Sequence, residues 1–235
     1  MKAFGGSKKF KNELLKKALE HRKEDDYISN YYGIYKTGKY NIGVFKGCSV
    51  GCTIFDIDPA HEKNDHEFLA TKLGVPLFVV HLQDTLFEGK SNKSAWTYEL
   101  LSSINVGSDL TPVLPKILLY IVQLNPSKES YFEKVVKFLQ SWIKNGFVDK
   151  EKVQAAQAEI EAKGAGIAAI WAASEAMAAN NTARAAAQAA NWAAGAVADT
   201  AADTATYEEW SVVEKKIFDD IAEEFLRLIR ECKPL

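Results

Sequence analysis

The residues best suited to chemistry gather in one short run, Lys46-Gly47-Cys48-Ser49-Val50-Gly51-Cys52-Thr53. Its two cysteines lie four apart, as do its two glycines, so each pair shares a face if the run is helical. A strip of such small residues lets another backbone or a ligand approach closely. If Gly47 sits just before the helix, the N–H groups of residues 48–51 form an anion-binding end, and Lys46 adds a positive charge beside it. The plainer reading is packing, because free cysteine behaves as a small hydrophobe.

Two other chemistries can be drawn through the same run. Cys48, Cys52, His61 and His66 supply the ligand types of a tetrahedral zinc site, although C-x-x-x-C is wider than the usual knuckle. A cysteine hydrolase would use Cys48 or Cys52 as thiolate at a helix start and His66 as base, oriented by Asp84 or Glu88. His81, between Val80 and Leu82, reads as a core histidine. No P-loop and no Rossmann fingerprint is present.

A stacking surface is suggested just upstream. Tyr27, Tyr31, Tyr32, Tyr35 and Tyr40 alternate with Lys36 and Lys39, which suits a base against a ring and a phosphate against an ammonium. Tyrosines propping an exposed hairpin would look the same. A turn at Thr37-Gly38 would pair residues 34–36 with 40–42.

The elements that must hold these residues are mostly helices. Residues 7–23 carry Phe10, Leu14, Leu15, Ala18 and Leu19 on one stripe, with His21 and Arg22 in the last turn. A short helix follows Gly47, then a loop over 55–59, where aspartates and Pro59 break the periodicity. Further helices are expected over 61–73, stopped by Gly74, and over 77–88 after Pro76. Others are expected from a Ser94 cap to 104, from Pro112 to 124, and over 129–144. Beyond residue 149 alanine supplies 26 of the last 85 residues, with Trp171 and Trp192 as bulky knobs. Thr206 and Glu209 form a capping box before a last helix over 208–231. The fold expected is all-α: a multi-helix bundle of about nine or ten helices with a small β-hairpin near 33–45. A helical domain over 1–147 would carry the cysteine-glycine motif, and an alanine-rich region over 148–235 would pack against it.

Composition narrows the partners. The chain has 235 residues and a formal net charge of −2, which excludes a dedicated duplex-DNA binder. Residues 1–50 hold 11 Lys/Arg against 5 Asp/Glu, whereas residues 151–235 hold 8 against 14. A basic first segment suits an anionic partner, and equally a helix with solvated lysines. Three cysteines make no disulfide framework, and no run is apolar enough for a signal peptide or a bilayer span, so the cytoplasm is expected. Closely packing alanine helices suit a homo-oligomer.

Over about the first 110 residues the chain resembles a family of uncharacterised bacterial and phage proteins. The resemblance is carried by Met1-Lys2-Ala3-Phe4, by Gly47-Cys48-Ser49-Val50-Gly51-Cys52-Thr53, and by His66 eight residues before Gly74. Leu73-Gly74-Val75-Pro76, residues 82–89, Trp96, and Gly107-Ser108-Asp109-Leu110 complete the set, with a similar alanine-rich tail. Two departures stand out: Phe55 replaces a histidine of the pattern, and residues 40–45 look inserted. The resemblance implies a role in defence or counter-defence and no established activity.

Together these features lead to an expected function. It is a non-enzymatic binding protein for a small anionic, nucleotide-like ligand, with no cofactor and no metal. A phage protein that sequesters an immune signalling nucleotide would be one instance. The residues expected to bind are Lys2, Tyr35, Lys39, Tyr40, Lys46, Cys48, Ser49, Thr53, His66 and Asp84. A toxin-immunity or adaptor protein acting through protein contacts is the alternative from another class, and the Cys-dependent hydrolase a third.

Overall fold

The computed structural model of the chain describes residues 1–24, 26–37, 42–124, 130–146 and 207–235. The described residues are mostly helical, with one small antiparallel sheet. Eight α-helices are found among them, fewer than the nine or ten expected. The alanine-rich helices expected before residue 207, and the boundary expected at 147, lie outside the described residues. The chain divides into two compact units, Met1–Leu110 with Ile229–Leu235, and Thr111–Leu228.

The first unit is built around a short buried helix. A 3-10 turn, Ala3–Gly6, is followed by α1 (Lys8–Glu24), whose start is capped by Ser7: its Oγ accepts from Phe10 N at 3.1 Å. Leu14, Ala18 and His21 form the buried stripe of α1. Strands β1 (Tyr32–Thr37) and β2 (Ile42–Gly47) pair from Tyr32↔Gly47 to Thr37↔Ile42. This register starts the second strand two residues later than the expected 40–42, and the turn expected at Thr37-Gly38 lies partly outside the described residues.

Gly47 then leads into α2 (Ser49–Ile57), six of whose nine residues are buried. The helix extends through Phe55 and Asp56, where a loop was expected. Asp56 is tolerated because its carboxylate is paired inside the fold, at 2.9 Å from His21 Nε2. Phe55 stacks flat on Phe45 of β2, with ring centroids 4.0 Å apart, and Tyr32 meets Phe45 edge-on. The hairpin base is thereby fastened to α2.

Helix α3 (His66–Leu73) starts five residues later than expected. Its first turn is set by Asp65, whose carboxylate accepts from Phe68 N at 2.9 Å, so His61 stays in the preceding loop. Gly74 ends α3 in the left-handed conformation at φ 65°, as expected of a C-terminal glycine. An added Cβ there would run into the Lys2 carbonyl oxygen. Helix α4 (Leu77–Gly89) follows Pro76. Helix α5 (Trp96–Ser103) begins without a side-chain cap, because the Ser94 hydroxyl donates to Asn92 Oδ1 instead. Leu69, Leu82, Leu86, Phe87, Trp96 and Leu100 are fully buried and form the centre of this unit. The last residues close on it: Leu235 N donates to Gly107 O, and Asn105 Nδ2 donates to the carbonyls of Arg230 and Cys232.

In the second unit α6 (Val113–Leu124) packs on α7 (Ser130–Asn145). α6 buries Val113, Ile117, Leu118 and Ile121 at helical spacing. Helix α8 (Tyr207–Arg230) buries Ile217, Ile221 and Phe225, the stripe read from the sequence. No described helix is long and apolar enough to cross a membrane.

Candidate functional site at the start of the second helix

Cys48 is the residue on which the expected anion site depended. Its backbone is extended (φ −66°, ψ 177°), and it caps α2 with its own sulfur: Sγ accepts from Gly51 N at 3.4 Å. Its amide donates to Tyr31 O at 2.8 Å, and Cys52 N donates to Cys48 O. Residues 48–51 are all buried. The expectation of free amides facing a hollow is therefore corrected, because the hairpin base fills the place the anion was to occupy. The small-residue strip does admit a close neighbour, but that neighbour is the chain itself. A Cβ on Gly51 would stand 2.8 Å from the Tyr32 ring.

Ser49 and Thr53 also turn inward. Ser49 Oγ accepts from Gln83 Nε2 at 2.8 Å and from Thr97 Oγ1 at 2.9 Å, and Thr53 Oγ1 donates to Ser49 O at 2.8 Å. Trp96 Nε1 donates to Gln83 O, and the Tyr27 hydroxyl interacts with that of Thr97. Ser49, Thr53, Gln83 and Thr97 are each at most 1% exposed, so this network ties α2 to α4 and α5 rather than presenting groups to solvent.

A second group of polar residues remains half-exposed beside Cys48. His66 Nε2 lies 3.1 Å from Asp84 Oδ2. The His66 ring stacks on His81 at 4.5 Å with only 12° between planes. His61 stacks on Phe68 at 4.1 Å, and its backbone carbonyl accepts from the Tyr32 hydroxyl. His81 is thus half-buried on a polar face, not the core residue expected from its apolar neighbours. Its spacing to Asp84, three residues on α4, was the available signal. Asn64 Nδ2 reaches Cys48 Sγ at 3.5 Å.

The electrostatics around the two thiols lends no support to the hydrolase reading. Burial, and then the carboxylate of Asp84, push the Cys48 thiol up to about 12. Cys52 is pushed up further by burial and by Asp56. A nucleophilic cysteine needs the opposite environment, with a cation or imidazolium beside the sulfur. Here the charged group beside Cys48 is Asp84, and His66 is bonded to that carboxylate. The zinc arrangement is corrected too: among the described residues no three His, Cys, Asp or Glu side chains are grouped to hold a metal ion.

The structure therefore gathers Cys48, Ser49, Thr53, His66 and Asp84 around the start of α2. Lys2 is placed elsewhere, because its carbonyl packs at Gly74, the far end of α3 from His66. An eight-residue helix is roughly 12 Å long. Lys46 is half-buried on β2 opposite Gly33, Tyr35 lies on β1, and Lys39 and Tyr40 fall outside the described residues. Gln83, Thr97 and Asn64 were missed, because nothing in their local spacing marks them. Comparison with protein families, with curated proteins and with solved structures gives no match. The resemblance described above therefore rests on its motifs alone.

Proposed function

We propose that the chain is a non-enzymatic binding protein for a small anionic, nucleotide-like ligand, and that the ligand docks on the face formed by His66, His81 and Asp84. The observation that carries the reading is the stacked His66–His81 pair with Asp84 at its edge, half-exposed and beside α2. A heteroaromatic base stacks on imidazole as on any flat ring. With Nε2 directed at Asp84, His66 keeps Nδ1 on the other side of its ring, where a ring N–H would donate to a phosphate oxygen. The closed amide end of α2 shapes the back of the site and supplies no anion contact. Sequestration of a signalling nucleotide by a phage protein is one instance of such a role, and it comes from the resemblance.

The test is a thermal-shift panel of mono-, di- and cyclic nucleotides. A ligand at 100 times its dissociation constant adds about 2.7 kcal/mol to stability. His66→Ala and Asp84→Asn should lose the shift, whereas Lys2→Ala should keep it. A flat panel refutes the reading. The second reading is a protein-binding adaptor, and Ile34, 54% exposed on the hairpin, is the position at which to test it. A partner retained by the wild type and lost by Ile34→Lys, with no nucleotide shift, would establish that instead.

A further inference from the structure

We propose that Asp26, His21 and Asp56 form a proton-operated clasp between α1 and α2, closed while the imidazole carries two ring protons and released when it loses one. His21 stands in the last turn of α1, Asp26 just after it, and Asp56 near the end of α2. Asp26 Oδ2 is 3.0 Å from Nδ1 and Asp56 Oδ1 is 2.9 Å from Nε2, so both ring nitrogens face a carboxylate. The three side chains are 10%, 10% and 7% exposed.

A neutral imidazole has one N–H and one lone pair. It can donate to one of these carboxylates but turns a lone pair on the other at about hydrogen-bond distance. Only the imidazolium satisfies both contacts. Asp26 depends on it heavily, because Asp26 Oδ1 is buried with no hydrogen-bond partner among the described residues. When the ring proton leaves to solvent, two buried carboxylates remain with no cation between them.

The groups facing the cluster leave His21 as the one that responds near neutral pH. On α2, Cys52 Sγ donates to Gly47 O at 3.4 Å and lies 4.0 Å from Asp26 O. Its pKa is raised, first by burial and then by Asp56. On the connecting segment the Tyr27 ring lies 5.8 Å from His21, and burial raises its hydroxyl pKa as well. α4 contributes the uncharged Phe87 ring behind Tyr27, and α5 contributes Thr97. Lys17 on α1 feels Asp56 but is half-exposed and paired with Glu20 at 3.0 Å. Burial opposes the charge on His21, and the Asp56 and Asp26 carboxylates outweigh it, so the pKa stands above its ordinary 6.5. A raised histidine pKa stabilises the fold fully below about 6.5, and this contribution fades as pH rises through the folded-state value.

The experiment is amide hydrogen exchange on the full chain at pH 6 and pH 9, corrected for intrinsic rates, with α3 as the internal reference. Between pH 6 and pH 9 the α1 amides should lose more protection than those of α3, because the imidazolium that holds the two carboxylates is lost over that range. In His21→Gln that pH-dependent difference should vanish. The His21 ring carbon–proton resonance of the wild type, assigned through bonds, should titrate above 6.5, and this reading stands even if the variant does not fold. A titration at or below 6.5, an α1 profile that tracks α3, or a pH response retained in the variant overturns the clasp.

Discussion

Replacing Ser49 by alanine removes one oxygen at which two buried donors meet, and the cost can be worked from the geometry. Gln83 Nε2 points at Ser49 Oγ from 2.8 Å, and Gln83 is 1% exposed, so water cannot take over the acceptor role. A stranded buried donor costs about 1–3 kcal/mol. The Thr97 hydroxyl, 2.9 Å away on the other side, can rotate, and the Tyr27 hydroxyl is the group it already interacts with. Its loss is nearer the ordinary net value of about 1 kcal/mol. The two together give about 2–4 kcal/mol, with little cavity cost because only one atom is removed. The assay is urea denaturation followed by far-ultraviolet circular dichroism, where the midpoint should fall with the slope unchanged. Ser49→Ala with Thr97→Val should cost less than the sum of the two single changes, because the pair shares a bond. A loss below about 0.5 kcal/mol, the range of an ordinary surface change, would refute the view that Ser49 is framework.

Gly74→Ala should lower the melting temperature. The left-handed conformation alone costs a side-chain-bearing residue about 1–2 kcal/mol, and the new methyl must also displace the Lys2 carbonyl. A melting temperature unchanged from wild type would show that the chain start is not held against α3. Cys48 and Cys52 should resist alkylation in the native protein. With its thiol pushed up to about 12, Cys48 is thiolate in only about one molecule in ten thousand at pH 8. Mass spectrometry after iodoacetamide treatment should find both unmodified until urea is added. Rapid native labelling of Cys48 would contradict the burial described.

Helices with a one-sided apolar pattern were readable in advance. α7 and α8 fall within a few residues of where their stripes place them, and Gly74 stops α3 for the stereochemical reason its residue type suggests. The misread boundaries share one cause. Asp56 looks like a helix breaker until His21, 35 residues earlier, is seen to hold its carboxylate, and nothing local reveals that partner. His61 looks like the start of α3 until Asp65 takes the cap. The candidate site was half legible. Residue types drew attention to Cys48, Ser49, Thr53, His66 and Asp84, and these do assemble. Their roles were misjudged, because a backbone amide is free or spent according to what packs over it. Here Tyr31, seventeen residues before Cys48, supplies the acceptor.

The flat pairing of Phe45 with Phe55 covers one flank of α2 with hydrocarbon. An imidazole at position 55 would have put a titratable nitrogen under the β-hairpin. With two hydrocarbon rings, that flank of α2 offers an incoming molecule neither proton nor lone pair. Any contact through side-chain nitrogen or oxygen would fall instead to the residues near Cys48, where Asn64, His66 and Asp84 stand.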